Sequence, residues 1–499
     1  MAIGYLIFSL YVLFLTFIFL YSVIAFYLAI VYLVSKKKVK KQGSLAIVLE
    51  QNYPKVTVQL PVYNEMYVIE RLIDSVCNFD YPADKLEIQV LDDSTDETVL
   101  IIANKIAEWQ TKGVDIQYVR RSGRKGFKAG ALANGLEICK GELIAIFDAD
   151  FVPSPSFLKD TTFYFIKNEK IGVVQTRWGH LNENYSLLTK LQAYALNAHF
   201  RVEQVGRNKA RHFINFNGTA GIWRKSCIED AGGWSAETLT EDLDLSYRAQ
   251  LKGWRFKYLE KIVVPAELPV SIDGLKNQQF RWSKGGAECS RKNLGKVINS
   301  NNVSLGTKIT AVFHLLNSSL FIAILGLVLL SVPLLWTVDT SSEIEHLVDY
   351  LGSYLINTLL LGFMYFVATR NETKNIVSEF FRFLFFFPVF LTAMLGLTTY
   401  NVKAVLEGLT GIKSPFVRTP KYNLKNQTQV TREKKYVKVK FSYLLLLDVG
   451  IIVYAVYGVV LGVKLGQFGL SIFLIMVALG FSYTFILSVV NLIRLKQED

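Results

Sequence analysis

The chain is poor in the residues that build structural zinc sites and disulfide frameworks. Its 499 residues include only four cysteines and five histidines. No two cysteines form a C-x-x-C pair, and the histidines do not show the spacing of a zinc site. A fold held together by structural zinc or by disulfides is therefore not expected.

Charge is missing from several long apolar stretches. Each is close to or longer than the roughly 20 residues that a membrane-spanning helix needs. The first is too long for the apolar part of a signal peptide and lacks a small-residue cleavage site, so we interpret it as an uncleaved membrane anchor. The stretches without Asp, Glu, Lys or Arg are 3–35, 309–338, 350–369 and 465–493, and 441–463 contains only Asp448.

The net charge of +13 is concentrated beside these apolar stretches. Residues 36–41 include five lysines, and residues 403–440 contain ten Lys and Arg against two acids. Basic segments next to spanning helices usually face the cytoplasm and contact anionic lipid headgroups of the bilayer. Nucleic-acid binding is not expected, because the charge lies beside the membrane and no recognition motif accompanies it.

The segment 379–400 presents a topological conflict. It is apolar enough to span a membrane, but both of its flanks are basic, and the acidic loop at 338–350 is expected to be external. A spanning segment would place the ten charges of 403–440 outside, against the positive-inside bias. We therefore interpret 379–410 as an interfacial or re-entrant element, which leaves five spanning helices. The predicted organisation is an anchor at 1–35, a soluble domain at 50–270, an amphipathic helix at 271–300, a hairpin at 305–370, an interfacial segment with a loop at 378–440 and a second hairpin at 441–495.

The soluble section is predicted to be an α/β domain. Short runs rich in Val and Ile alternate with segments of helical length, which is typical of a mostly parallel sheet with helices on both faces. Ligands of such sheets bind beyond the carboxyl ends of the strands, where Asp92-Asp93 and Asp148-Ala149-Asp150 are found. The predicted strands are 56–60, 86–91, 116–119, 143–147 and 172–175.

The acids at these strand ends suit a metal ion and a diphosphate. Asp148 and Asp150, separated by one small residue, can both reach a divalent cation, which would neutralise charge on a departing diphosphate. The alternative is that the two acids simply end a strand. Asp93 can contact a base or a ribose, or it can cap the helix that follows.

Three later segments suit the same chemistry. Lys128 lies among small residues at a predicted helix start. This arrangement suits binding of a phosphate, and the alternative is an ordinary helix N-terminus without a ligand. Glu241-Asp242 can supply the carboxylate base that an alcohol acceptor needs, although acids in a first helical turn also merely complement the helix dipole. Arg281 and Trp282 can offer a cation to the diphosphate and an aromatic floor to a sugar, or they can lie at headgroup level on a membrane-surface helix.

Taken in order, these segments resemble a known family. Their order is similar to that of the processive membrane glycosyltransferases of family 2, the cellulose synthase type. The amino-acid sequence at Val174–Trp178 and at Glu203-Gln204 looks closest to that of the plant cellulose-synthase-like mannan and xyloglucan-backbone synthases and their bacterial relatives. The motifs are Pro61-Val62-Tyr63-Asn64-Glu65, Asp92-Asp93-Ser94-Thr95-Asp96, Lys128-Ala129-Gly130-Ala131-Leu132, Asp148-Ala149-Asp150, Phe216-Asn217-Gly218-Thr219-Ala220-Gly221, Thr240-Glu241-Asp242, Gln278-x-x-Arg281-Trp282 and Phe416-Val417-Arg418-Thr419-Pro420-Lys421.

The resemblance implies a fold and a set of residue roles. The fold is a GT-A, Rossmann-like nucleotide-diphospho-sugar transferase domain inserted between transmembrane α-helices. Asp242 would be the catalytic base beside Glu241, and Mg²⁺ or Mn²⁺ would bind at Asp148 and Asp150. Nucleotide-sugar contacts are expected at Tyr63, Glu65, Asp93, Lys128, Asp148, Gln278 and Arg281, acceptor contacts at Trp282, Gly218 and Thr219, and a gating loop at Phe416, Thr419 and Lys421.

The chain departs from this family in two places. Phe151 replaces the histidine that follows the Asp-x-Asp motif in bacterial cellulose synthases, so a third metal ligand there is in doubt. Arg418 and Pro420 stand where cellulose synthases carry other residues, so closure of the loop is expected to differ.

The function implied is inverting sugar transfer at a membrane. The expected donor is UDP-glucose or GDP-mannose, and the expected product is a growing β-linked polysaccharide, β-1,4-glucan or mannan, with possible coupled translocation. The alternative is a non-processive enzyme that adds one sugar to a membrane lipid. A scaffold with an inactive domain is disfavoured, because the acids of all the motifs are intact. The expected location is a bacterial inner membrane, with the catalytic domain in the cytoplasm.

Overall fold

A computed structural model describes residues 2–37, 53–371, 373–414, 417–424 and 442–496. Between the helices of the membrane region lies an α/β domain built on one seven-stranded sheet, whose strands follow the order β3-β2-β1-β4-β6-β5-β7. The strands are β1 (Val56–Val62), β2 (Leu86–Asp92), β3 (Ile116–Arg120), β4 (Leu143–Ile146), β5 (Ile171–His180), β6 (Gly221–Arg224) and β7 (Arg255–Ala266).

The first half of the sheet is parallel. β1 pairs with β2 and β4, and β2 pairs with β3, all in parallel. Every residue of β2 and β4 is buried, as expected for strands covered by helices on both faces. Parallel pairing brings the carboxyl ends of β1, β2 and β4 to one edge of the sheet. The site is therefore expected at that edge.

Helices surround the sheet and lead out of it toward the membrane region. They begin with α1 (Ala2–Lys37), which precedes the domain. The helices of the domain are α2 (Ile69–Cys77), α3 (Thr98–Thr111), α4 (Phe127–Ile138), α5 (Phe157–Lys167), α6 (Leu187–Asn197), α7 (Gln204–Lys209), α8 (Lys225–Asp230), α9 (Glu241–Leu251) and α10 (Ile272–Ile298). A single π-helical stretch, Ala198–Glu203, joins α6 to α7.

The expected α/β architecture is confirmed, with two strands that the hydrophobic pattern did not predict. The five predicted strands all form, and β5 extends five residues further than predicted, to His180. β6 is only four residues long and pairs antiparallel with β4 and β5, so the sheet is mixed. β7 was missed because charged residues at Lys257, Glu260 and Lys261 interrupt its apolar alternation.

The remaining helices form the C-terminal membrane region. They are α11 (Leu305–Leu315), α12 (Leu320–Thr340), α13 (Ser342–Asp349), α14 (Leu355–Thr369), α15 (Ile376–Leu395), α16 (Thr398–Thr410), α17 (Leu444–Lys464) and α18 (Phe468–Lys496). Six segments of the described chain are long and apolar enough to cross a membrane: Ala2–Lys36, Asn317–Thr340, Ser342–Thr369, Ile376–Leu395, Leu444–Lys464 and Phe468–Ile493. The protein is therefore a multi-pass membrane protein.

Six candidates are one more than the five spanning helices expected, and the additional one is Ile376–Leu395. Its aromatic residues Phe381 and Phe385 are 65% and 75% exposed, which suits contact with lipid. Residues after this helix contact the α/β domain, since Lys421 bonds to Asp150. The chain must therefore lie on the same side of the membrane at α10 and at residue 421. An even number of membrane crossings must therefore separate α10 from residue 421. Three candidate segments lie between them, Asn317–Thr340, Ser342–Thr369 and Ile376–Leu395, so they cannot all cross. The interfacial or re-entrant position of α15 stays a prediction that this parity supports.

A labelling experiment tests this topology. With Cys77, Cys139, Cys227 and Cys289 replaced, a single cysteine is placed at Lys413, an exposed residue of the described chain. We expect a membrane-impermeant reagent to label it only after the cells are opened, because the segment that follows must reach the α/β domain. The matched control is a cysteine at Glu345, also exposed and expected to be external, which should label in intact cells. Labelling of residue 413 in intact cells would mean that α15 crosses the membrane.

Candidate active site

A cavity opens at the sheet edge where β1, β2 and β4 end. α9, α10 and the segment 417–424 close it from the other sides. The predicted site residues that line this cavity are Tyr63, Glu65, Asp93, Lys128, Asp148, Asp150, Gly218, Glu241, Asp242, Gln278, Arg281, Trp282, Thr419 and Lys421. Motifs separated by more than 300 residues in the chain are thus brought together around one cavity.

Each acid of the Asp-x-Asp motif is held by a lysine from a different element. Lys128 Nζ of α4 lies 2.5 Å from Asp148 Oδ1 and also donates to the Gly218 carbonyl. Lys421 Nζ lies 2.7 Å from Asp150 Oδ2. Burial alone would lower the pKa of Lys128. The nearby acids have the larger combined effect and raise this pKa; they are Asp148, Glu241 and Asp242. Its cation is therefore retained at neutral pH beside the place expected for a diphosphate.

Gly218 allows the predicted base to approach this lysine. Gly218 has a φ of +79°, a backbone conformation that side chains with a Cβ rarely adopt. A Cβ placed there would lie 3.1 Å from Asp242 Oδ2 and 3.5 Å from Lys128 Nζ. The glycine therefore keeps open the space between the base and the cation.

Asp242 has the electrostatic surroundings of a general base. It follows Glu241 in the first turn of α9, and the Leu243 amide donates to its Oδ1 atom at 2.9 Å. Burial and the neighbouring Glu241 carboxylate raise the pKa of Asp242 to about 7, while Lys128 opposes the shift. Burial also raises the pKa of Glu241. A carboxylate whose pKa lies near neutrality is a better proton acceptor than an ordinary aspartate.

The end of the cavity near β1 and β2 combines an acid with a stacked cation. Arg121 holds Asp93 through two hydrogen bonds of 2.8 and 2.6 Å, which fix the carboxylate plane. The Arg124 guanidinium lies 3.2 Å from the centre of the Tyr63 ring. Acceptor oxygens and a flat cationic surface side by side suit a nucleobase.

The segment 417–424 enters the cavity and binds its acids. Arg418 forms two hydrogen bonds of 2.9 and 2.8 Å with Glu65, and Thr419 accepts one of 3.0 Å from Arg281. Burial raises the pKa of Glu65 to about 7, although Arg418 opposes this shift. Arg418, one of the positions at which the chain departs from cellulose synthases, thus has Glu65 as its partner. Phe416, the remaining gating-loop residue predicted, lies outside the described residues.

Thr219 is the one predicted contact that the structure places elsewhere. It is fully buried and does not line the cavity. Its hydroxyl accepts a hydrogen bond of 2.8 Å from the Asp148 amide, so it holds the Asp-x-Asp turn in place. The acceptor contact predicted for Thr219 is therefore corrected to a supporting role, because its side chain points into the domain.

Several lining residues were not predicted. Glu267, in the Ala-Glu-Leu-Pro sequence after β7, is 3% exposed, and its carboxylate accepts hydrogen bonds from the Tyr422 and Asn423 amides. Arg124 stacks on Tyr63, and His180 lines the cavity with a buried Nε2 that has no hydrogen-bond partner in the described chain. A signal for Glu267 was its position between an apolar strand and a proline, where an acid is unusual.

The acids present fit a divalent cation as two of its ligands. Asp148 is about one-third exposed (35%), so part of its carboxylate faces the cavity. In the described part of the chain, no group of three or more His, Cys, Asp or Glu is arranged to hold a metal. Phe151 is buried beside Trp178 and supplies no ligand. The remaining ligands would have to come from a bound diphosphate or from water.

The domain that carries this cavity is similar to a known family of glycosyltransferases. Residues 54–285 match the family described as "Glycosyltransferase like family 2". A mannosyltransferase from Pyrobaculum calidifontis, solved with GDP-Man and Mn²⁺, has a similar structure with a TM-score of 0.53. It shares 18% identity with this chain, and the alignment covers 82% of this chain and 100% of that one. At this identity the likeness shows the fold, which is the GT-A fold.

Curated relatives come from plants. "Probable glucomannan 4-beta-mannosyltransferase 7" of Oryza sativa subsp. japonica is 46% identical over 257 residues, which is 51% of this chain and 44% of that protein. "Glucomannan 4-beta-mannosyltransferase 7" of Arabidopsis thaliana is 43% identical over 261 residues, 52% of this chain and 47% of that protein. The chain thus spans about half the length of the curated relatives it matches. These comparisons do not support the expected bacterial inner membrane.

Gly218→Ala is expected to lower sugar transfer by about tenfold or more, because the new Cβ is strained and crowds Asp242. A non-glycine residue in the left-handed region costs about 1–2 kcal/mol, and crowding at a base adds to that. The measurement is kcat in a transfer assay. The control is Gly113→Ala, which has a similar φ of +81° but no neighbour within 4 Å. An equal effect of both substitutions would show that strain alone matters.

Transfer is expected to increase with pH through about 7. The base must be deprotonated to accept a proton, and the pKa of Asp242 is raised to about 7. A pH profile of kcat measures this, and Asp242→Asn should abolish transfer while leaving nucleotide binding nearly intact. A profile that stays flat between pH 5.5 and 8.5, or an Asp242→Asn variant that keeps a tenth of the activity, would remove Asp242 from this role.

Proposed function

We propose that this protein is an inverting membrane glycosyltransferase that extends a β-linked mannan or glucomannan. The observation that carries the proposal is the cavity itself. A carboxylate with a pKa near 7, Asp242, faces a cluster of cations beside the Asp-x-Asp motif. Such a site can remove a proton from an alcohol and stabilise a leaving diphosphate at the same time.

In the proposed reaction the donor lies along the ends of β1, β2 and β4. The base and ribose bind near Asp93 and the Tyr63–Arg124 stack, and the diphosphate lies against Lys128 and Arg281. Trp282, beside Arg281 on α10, offers its ring to the acceptor sugar. Lys421 and Thr419 close the cavity over the donor and exclude water.

The transfer step follows from this arrangement. Asp242 takes the proton from the acceptor hydroxyl as the oxygen attacks the anomeric carbon from the side opposite the diphosphate. The new glycosidic bond forms while the bond to the diphosphate oxygen breaks, so the configuration at that carbon inverts. Negative charge moves to the diphosphate, where Lys128 and Arg281 stabilise it.

We propose a divalent cation, Mg²⁺ or Mn²⁺, at Asp148 and Asp150. When bound, it would neutralise charge on the diphosphate oxygens. The two carboxylates have the right ligand chemistry and one-residue spacing. Two lysines occupy them in the described structure and would shift toward the diphosphate when a cation binds.

Asp150→Ala is expected to weaken donor binding at least tenfold and to abolish metal-dependent transfer, because the acid links the cation to the protein. The measurement is the dissociation constant of GDP by calorimetry, with and without Mn²⁺, alongside transfer. Asp80→Ala is the control, since that acid pairs with Lys159 on the surface away from the cavity. Full transfer by the unaltered protein in excess EDTA would contradict the metal proposal.

The choice of mannose rests on the plant relatives, whose names specify 4-β-mannosyltransferases. Two features support repeated addition of sugars to one polysaccharide chain. The segment 417–424 and the Gln278-x-x-Arg281-Trp282 part of α10 both line the cavity. Transfer of one sugar to a lipid, the alternative weighed from the sequence, requires neither feature.

The test is a donor panel with the purified full-length protein in lipid. We expect transfer from labelled GDP-mannose, more slowly from GDP-glucose, and a product of many residues that β-mannanase degrades. The Asp242→Asn variant is the matched control for contaminating enzymes. Product that contains one sugar on a lipid, or transfer from UDP-sugars alone, would replace this proposal by the corresponding alternative.

A further inference from the structure

A buried polar junction lies away from the cavity, where α10 packs against α16 and α18, and α16 packs against α17. We call its five residues the α10 junction: Lys276, Thr399, Tyr400, Asp448 and Ser488. Lys276, Thr399, Asp448 and Ser488 are each 4% exposed or less. The family match ends at residue 285, so it assigns no role to α16, α17 or α18.

The contacts of the junction fix a charged side chain in a largely apolar setting. Lys276 Nζ donates to Ser488 Oγ at 2.8 Å and lies 4.0 Å from the centre of the Tyr400 ring. Asp448 Oδ1 accepts a hydrogen bond of 2.8 Å from Thr399. Asp448 and Asp273 are the acids close enough to stabilise the buried ammonium. Two further pairs join the same helices: Asn491 with Asp273, and Ser283 with Asn401 at 3.1 Å.

Burying charged side chains at this junction costs free energy of folding. A buried ammonium and a carboxylate inside a spanning helix both lose their hydration, and apolar side chains of similar size would pack at lower cost. Lys276 bonds to Ser488 and Asp448 bonds to Thr399, and no ion pair within 4 Å joins Lys276 to Asp448 in the described chain. Their attraction therefore acts across the junction and resists rotation or sliding of α10 against the hairpin.

The junction and the active site occupy opposite faces of one helix. At 3.6 residues per turn, Gln278, Arg281 and Trp282 lie about 120° to 160° around the helix from Lys276. A small rotation of α10 at the junction therefore moves all three toward or away from the donor. α10 spans 27 residues without interruption, so it has no internal hinge to absorb such a rotation.

We propose that the C-terminal hairpin, α17 and α18, is a positioning element of the catalytic site, acting through Lys276 and Asp448 on α10. Neither residue contacts substrate. Their role is to set the orientation of Gln278, Arg281 and Trp282. This inference rests on the proposed transferase function.

The experiment compares Lys276→Met, Asp448→Asn and the double variant in the full-length protein, with Lys464→Met as control. Lys464 is an exposed lysine at the other end of α17. Two rates are measured for each: transfer to glycan, and hydrolysis of the labelled donor without acceptor. We expect each single variant to lower transfer about tenfold, to raise the ratio of hydrolysis to transfer at least threefold and to raise the acceptor KM.

The double variant separates charge coupling from lost packing. Removing both charges leaves neither the Lys276 ammonium nor the Asp448 carboxylate without its counter-charge, while Asp273 keeps its partner Asn491, so the transfer rate of the double variant should exceed that of either single variant. The control should match the wild type. A simple loss of folded protein would lower both rates by one factor and leave their ratio and KM unchanged, and that outcome would overturn the proposal.

A milder variant keeps the test decisive if the charge variants do not fold. Ser488→Ala removes one hydrogen-bond acceptor from Lys276 and should raise the hydrolysis-to-transfer ratio about twofold. An unchanged ratio in that variant would also overturn the inference. Failure of the wild-type protein to transfer any sugar would instead refute the proposed function, so the two failures are distinguishable.

Discussion

The need to balance buried acids with cations organises this structure. The strand ends gather several carboxylates in one cavity, and isolated carboxylates away from water are unstable unless they are paired. Four of them are each paired with a cation, and these cations come from three regions of the chain. The pairs are Arg418 with Glu65, Arg121 with Asp93, Lys128 with Asp148, and Lys421 with Asp150. The start of α4, the loop after β3 and the segment before α17 are held at the same place by this requirement.

Asp242 shows what happens when the balance is incomplete. Lys128 lies near it but bonds to Asp148, so burial and Glu241 dominate and raise the pKa of Asp242 to about 7. The acid that is expected to accept a proton is thus one of those without a bonded cation. The same cavity thus contains acids that are paired with lysine or arginine and an acid, Asp242, whose pKa is raised to about 7.

Much of the soluble domain could be read from the sequence because buried parallel strands leave a simple signal. Val56–Val62 and Leu86–Asp92 are apolar runs that end in polar motifs, and the motifs were expected to meet where the strands end. Pairings across the chain could not be read. Arg418 and Glu65 are 353 residues apart, and the inward direction of Thr219 depends on the turn at Asp148. Hydropathy also could not decide whether Ile376–Leu395 crosses, because length and composition are the same for a crossing and an interfacial helix.

The contacts of segment 417–424 bear on how product leaves. Lys421 and Arg418 bond to acids of the cavity itself, Asp150 and Glu65. In the proposed reaction, the departing nucleoside diphosphate and these acids would compete for the same side chains. Release of this product and the return of Lys421 to Asp150 would then be one exchange of counter-ions. Because Lys421 and Asp150 are buried, dissolved salt would screen this exchange only weakly.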